Sequence, residues 1–174
     1  MTAFMVLKVQ IWLFVVMLIL LSCQKNEDHR EVYSDGTFRI WLDRRNDSLS
    51  VVYLQEKGSL SDSLLLPYPV YRFCCADLSG DGIPEICVGV EKATRYWHRE
   101  DRRLFIYHLW HGKYIRPLWL GSRVGNRLVD FDICSDSVPA RILSTEMRSD
   151  STLLQALYKL QGFGLKFERY LDDE

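Results

Sequence analysis

The chain has 174 residues, and its 22 Lys and Arg nearly balance 23 Asp and Glu, for a formal net charge of −1 at pH 7. A chain this close to neutrality, with no basic stripe, is excluded from the proteins that grip nucleic acid by neutralising phosphates. Once a leading apolar segment is set aside, the remaining length suits one ordinary domain with its own core.

That segment, 1–22, carries a single charge, Lys8, followed by the unbroken apolar run Ile11 to Leu21 and then Ser22. As a helix the run rises only about 16 Å, roughly half of a bilayer's hydrocarbon core, so it is too short to span. It has the length of a secretory h-region; the competing reading is an ordinary buried N-terminal helix. Leu20-Leu21-Ser22-Cys23 resembles the lipobox of bacterial lipoproteins. The resemblance implies cleavage before Cys23, acylation of its thiol and attachment to a membrane through lipid, each buried methylene contributing about 0.8 kcal/mol.

Residues 23–33 begin with the polar Gln24-Lys25-Asn26-Glu27-Asp28 and hold no apolar residue until Val32, which predicts a solvated tether. The Lys-plus-acidic stretch also resembles the signal that sends Bacteroidetes lipoproteins to the outer face of the outer membrane; a generic charged linker is the other reading. The expected location is the bacterial cell envelope, lipid-anchored to the outer membrane, with its periplasmic or outer face left open. Removal of 1–22 leaves 152 residues with 21 basic and 23 acidic side chains.

From 34 to 174 the chain is a series of short alternating or apolar runs separated by turn residues, with no sustained 3.6-residue period, which predicts an all-β domain. One hairpin pattern recurs: Leu49 to Glu56 then Gly58, Leu104 to Trp110 then Gly112, and Leu153 to Leu160 then Gly162. Another hairpin precedes each, represented by Phe38 to Leu42, Phe73 to Ala76 and Leu128 to Ile133. A unit of about 50 residues with four antiparallel strands has the size of a propeller blade. About three such meander units are expected, in a partial β-propeller-like or packed-sheet arrangement, since closed propellers typically take four to eight blades. A plain meander sharing only its turn glycines is the alternative.

In the second unit, Asp77-Leu78-Ser79-Gly80-Asp81-Gly82-Ile83-Pro84-Glu85 stands between two β-like runs. Oxygens of Asp77, Ser79, Asp81 and Glu85, with the Ile83 carbonyl, have the spacing to converge on one hard cation, and the glycines let the backbone turn around it. Val88 stands where an EF-hand needs its bidentate Glu, which excludes that motif. Asp77, Asp81, Gly82 and Glu85 give the segment a resemblance to the calcium loops of FG-GAP and VCBS repeats, with Glu in place of the last Asp and Ser79 in place of a carboxylate. The resemblance implies structural Ca2+ at weak, extracellular-type affinity. A glycine-rich turn with solvated carboxylates is the alternative.

Four cysteines follow Cys23. Cys74 and Cys75 should face opposite sides of a strand, and Cys74 and Cys87 have the spacing to meet across the hairpin, either as a disulfide or as buried thiols. Glu91 to Arg103 reads as a long charged loop in which Tyr96, Trp97, His98 and Arg99 offer a contact surface for a protein or glycan partner; otherwise the aromatics fold back onto the sheet. Trp110, Trp119 and Phe163 are expected in the core. Asp130 and Asp132 share a strand face as a glycosidase pair would, although acids beside a turn are usually solvated. No nucleophile elbow or phosphate-binding glycine loop stands out. The expectation is a non-catalytic, lipid-anchored binding module stabilised by calcium. The alternatives are a small envelope hydrolase acting on a glycan or peptide, and a structural subunit of an envelope assembly.

Overall fold

Phe38, Ile40 and Leu42 alternate with Arg39, Trp41 and Asp43, the period of a strand with one buried face, and the buried set does face inward. The same rule builds twelve strands in this computed structural model, which describes residues 32–95, 98–121 and 124–171. They are β1 (Val32–Ser34), β2 (Phe38–Asn46), β3 (Leu49–Glu56), β4 (Ser59–Leu66), β5 (Val70–Ala76), β6 (Glu85–Glu91), β7 (Arg102–Trp110), β8 (Tyr114–Leu120), β9 (Arg127–Cys134), β10 (Arg141–Met147), β11 (Leu153–Gln161) and β12 (Gly164–Leu171). Each consecutive group of four forms one antiparallel meander sheet, giving three sheets. The predicted glycines Gly58, Gly112 and Gly162 sit in the β3–β4, β7–β8 and β11–β12 turns with φ of 85°, 68° and 59°.

The three sheets lie in a row. Ile40, Leu54, Val88 and Tyr107 belong to a core between the first and second sheets. Cys87, Ile106, Phe131 and Ile142 belong to a core between the second and third. The middle sheet is therefore covered on both faces, and every residue of β6 from Glu85 to Val90 is buried. This is why its sequence is a continuous apolar run rather than an alternation.

The cysteines follow the strand geometry: Cys74 packs toward the second core and Cys75 toward the first. Cys74 is the register partner of Cys87, and all four described thiols are free. A hydrogen bond with Cys74, together with burial, pushes the Cys87 thiol well above its ordinary pKa.

Several sequence expectations need correction. Phe38 to Leu42 belongs to β2, the second strand of its unit, whereas Phe73 to Ala76 and Leu128 to Ile133 belong to first strands. The first sheet opens at Val32, two residues inside the expected tether. The charged loop is shorter than expected, because Glu91 ends β6 and Arg102 and Arg103 open β7. Trp119 is buried, but Trp110 is 52% exposed at the end of its strand and Phe163 is 88% exposed in a hairpin tip. The expected signal segment, Cys23, Tyr96 and Trp97 lie outside the described residues.

Candidate functional site

The acidic loop connects β5 to β6 at the edge of the middle sheet. Leu78 is buried in the second core, and Ile83 packs against the first, so one short loop is pinned on both sides. Gly80 and Gly82, with φ of 84° and 82°, allow the tight path. Asp77 accepts from the amides of Gly80 at 2.6 Å and Gly82 at 2.9 Å and from Ser79 Oγ at 3.4 Å. Asp81 Oδ1 accepts from the Ile83 amide at 2.8 Å. Glu85, 4% exposed at the start of β6, turns Oε2 toward the amides of Leu78 at 2.8 Å and Ser79 at 3.2 Å. Burial pushes its carboxyl pKa up, and those two amides pull it part of the way back. The Asp77 carbonyl accepts from the Ala140 amide at 2.8 Å, and Pro139 packs over Gly80, so the β9–β10 connection buttresses the loop.

The carboxylates of this loop thus accept from its own amides, with Glu85 buried, Asp77 half-buried and Asp81 exposed. Four of the five expected oxygen donors are on the loop, and Glu85 opens β6 at its end. Even so, no three Asp, Glu, His or Cys side chains among the described residues are gathered closely enough to hold an ion.

A second site lies where the β6–β7 connection meets the third sheet. The connection is closed by the Lys92 amide donating to the Asp101 carbonyl at 3.1 Å. At its base, Arg102 pairs with Glu91 at 3.2 Å and lies over the Tyr71 ring, and its Nη1 donates to the Val129 carbonyl at 2.7 Å. Asp101 pairs with Arg127 at 3.1 Å, and Arg72 pairs with Asp130. These contacts bolt the second sheet to β9.

Two adjoining cavities open beside the bolts. An open cleft of about 480 Å³ is lined by Glu91, Glu100, Asp101, Arg102, Arg127 and Met147, among others. A smaller cavity of about 120 Å³ shares Asp101, Arg102, Arg127 and Leu128 with it and adds Arg99, Arg103, Asn126 and an apolar floor that includes Leu104 and Trp119. Of the expected contact residues, His98 and Arg99 are exposed, and Arg99 lines the smaller cavity.

The Asn126 side of the smaller cavity is held by Glu146, which is fully buried in β10. Glu146 Oε1 accepts from Ser144 Oγ and the Tyr158 hydroxyl, both at 2.7 Å, while Oε2 accepts from the Asn126 amide at 2.6 Å and its Nδ2 at 3.1 Å. Tyr158 in turn accepts from the Gly125 amide at 2.9 Å, and its own pKa is raised by burial and by the Glu146 bond. A carboxylate with four donors has the partners that burial demands.

Of the expected acidic pair on β9, Asp130 pairs with Arg72 and Asp132 is exposed. Arg102, Arg103, Arg127 and Glu146 are functional candidates that the sequence reading missed. The one signal for the first two is that Arg102-Arg103 leads directly into the apolar run from Leu104. Comparison with protein-family models, curated proteins and solved structures finds no match to this chain.

Proposed function

We propose that this protein is a non-catalytic, lipid-anchored module of the cell envelope that binds a protein or glycan partner through the cleft beside the β6–β7 connection. The observation carrying this reading is an open cleft whose base is fixed to two sheets by Arg102 and Asp101 and which adjoins a smaller cavity lined by the exposed Arg99. A rigid floor under an arginine-bearing rim lowers the ordering cost of binding. Within this reading calcium is a structural ion of the acidic loop, held by Asp77, Ser79, Asp81, the Ile83 carbonyl and Glu85 once some of those oxygens exchange amides for the ion. It supplies charge and stiffness there, and the cleft supplies recognition.

A photo-crosslinking residue at position 99 of the full-length protein in intact cells tests the binding role, with a glycan panel run on the purified protein. A discrete adduct or retained glycan that is lost on Arg102→Ala supports the module. Neither adduct nor retention, or turnover of a glycan or peptide polymer by the purified protein, overturns it in favour of the inert or hydrolytic alternatives. In the same cells Cys23→Ser should move the protein from the membrane to the soluble fraction. Calcium should raise the melting temperature of wild type and not of Asp81→Ala.

A further inference from the structure

The smaller cavity is lined by a guanidinium whose hydrogen-bonding capacity is not filled among the described residues. Arg103 is 9% exposed, and its Nε and Nη2 are buried without a hydrogen-bond acceptor among the described residues. The neighbouring cations differ in this respect, since Arg102 is matched by Glu91 and Arg127 by Asp101. A buried guanidinium with two nitrogens left without acceptors is costly, and the fold bears that cost at a cavity wall rather than inside a packed core. Arg99 on the same cavity adds a second positive charge at the rim. The floor of Leu104, Trp119 and Leu128 is apolar and buried, and the lower local dielectric strengthens any pairing made above it. At about 120 Å³ the cavity has room for a few waters or for one small oxyanionic group, not for a whole ligand of ordinary size.

We propose that this cavity is an oxyanion pocket, taking one carboxylate or phosphate group whose oxygens accept from Arg103, with Arg99 and the Asn126 side chain at its rim. The planar fork of a guanidinium suits both anions, because each offers two oxygens side by side. The adjoining 480 Å³ cleft then accommodates the remainder of the molecule that carries the anion. The pocket deepens the binding-module reading and rests on it only for the source of the anion; the chemistry of the pocket stands on Arg103 alone.

The test is thermal unfolding of the full-length protein titrated with sodium phosphate or with sodium acetate, each balanced with sodium chloride to constant ionic strength. A saturable rise of about 3 °C at roughly ten times the dissociation constant is expected. The rise should vanish in Arg103→Met and persist in Arg45→Gln, which changes an exposed arginine of the first sheet. A response to phosphate alone or to acetate alone supports the pocket and identifies the anion it prefers. No response to either salt, or equal responses in wild type and Arg103→Met, overturns the pocket. If Arg103→Met does not fold, the wild type decides by nuclear magnetic resonance: a protected arginine Nε–H signal that moves on titration supports the pocket, and one that stays fixed overturns it. Loss of the anion response with the crosslink at position 99 intact removes the pocket and leaves the module; the reverse result removes the module and leaves the pocket.

Discussion

Two buried glutamates show how one side chain serves two different ends. Glu146 has four donors in place, and its bonds reach from β10 to Asn126 on the wall of the oxyanion pocket. Glu146→Gln keeps the shape but replaces one acceptor oxygen with a donor group facing other donors. Hydrogen bonds to charged groups are worth about 1.5–3 kcal/mol each, so a loss of about 2–3 kcal/mol in urea unfolding is expected; a variant within 0.5 kcal/mol of wild type, by that same scale, would show the network to be idle. Glu85 behaves differently because burial raises its pKa in the folded state. The folded chain then holds that proton more tightly than the unfolded chain, so stability falls as pH rises from the ordinary glutamate range through the folded value. Glu85→Gln does not titrate, and its melting temperature should gain on wild type as pH rises through that window; a difference that is flat with pH, or that shrinks, contradicts the assignment. The sequence marks Glu85 by its place in a spaced acidic loop. Glu146 has no such mark, because its partners Asn126, Ser144 and Tyr158 come together only when three strands and a connection are assembled.

At the scale of the element, β6 illustrates how far local pattern carries. Its apolar run is visible in the sequence, as is the hairpin with β5, and both are present. The role of Gly89 is not visible. A Cβ there would lie 2.6 Å from Tyr71 Cζ and 2.9 Å from Arg72 Cβ, and the Tyr71 ring is itself held under Arg102 and edge-on to Phe131. The ring cannot swing away without disturbing the bolt at the base of the cleft. Gly89→Ala should therefore cost about 1–3 kcal/mol as overpacking, read by denaturant midpoint, and weaken the crosslink at position 99. An alanine variant as stable as wild type would mean that the ring has room. Strand ends were the harder part of the sequence to read. Arg102 and Arg103 continue a run of charges, yet their cross-strand partners Glu91 and Val90 place them in the sheet. Trp110 and Phe163 have core-like side chains, yet each lies where its hairpin leaves the covered part of a face.

For the whole molecule, the repeat of four strands and the all-β class follow from turn glycines and period, while the order of stacking does not, because alternation states that a face is buried and not against what. The row of three sheets has a mechanical corollary: the two cores share the middle sheet and cannot separate without exposing it. Ile40→Ala in the first core and Ile142→Ala in the second should each cost about 2–5 kcal/mol and shift one common transition. Two resolved transitions, with each substitution moving only its own, would show the sheets melting independently. The acidic connection between β5 and β6 gives this coupling a handle. Leu78 and Ile83 are rooted in opposite interiors a few residues apart, so the loop acts as a rivet through the central layer. Whatever tightens its head, an ion or a change in proton occupancy, is felt on both sides at once, and slower amide exchange would then extend to β2 and β10, which belong to the outer layers.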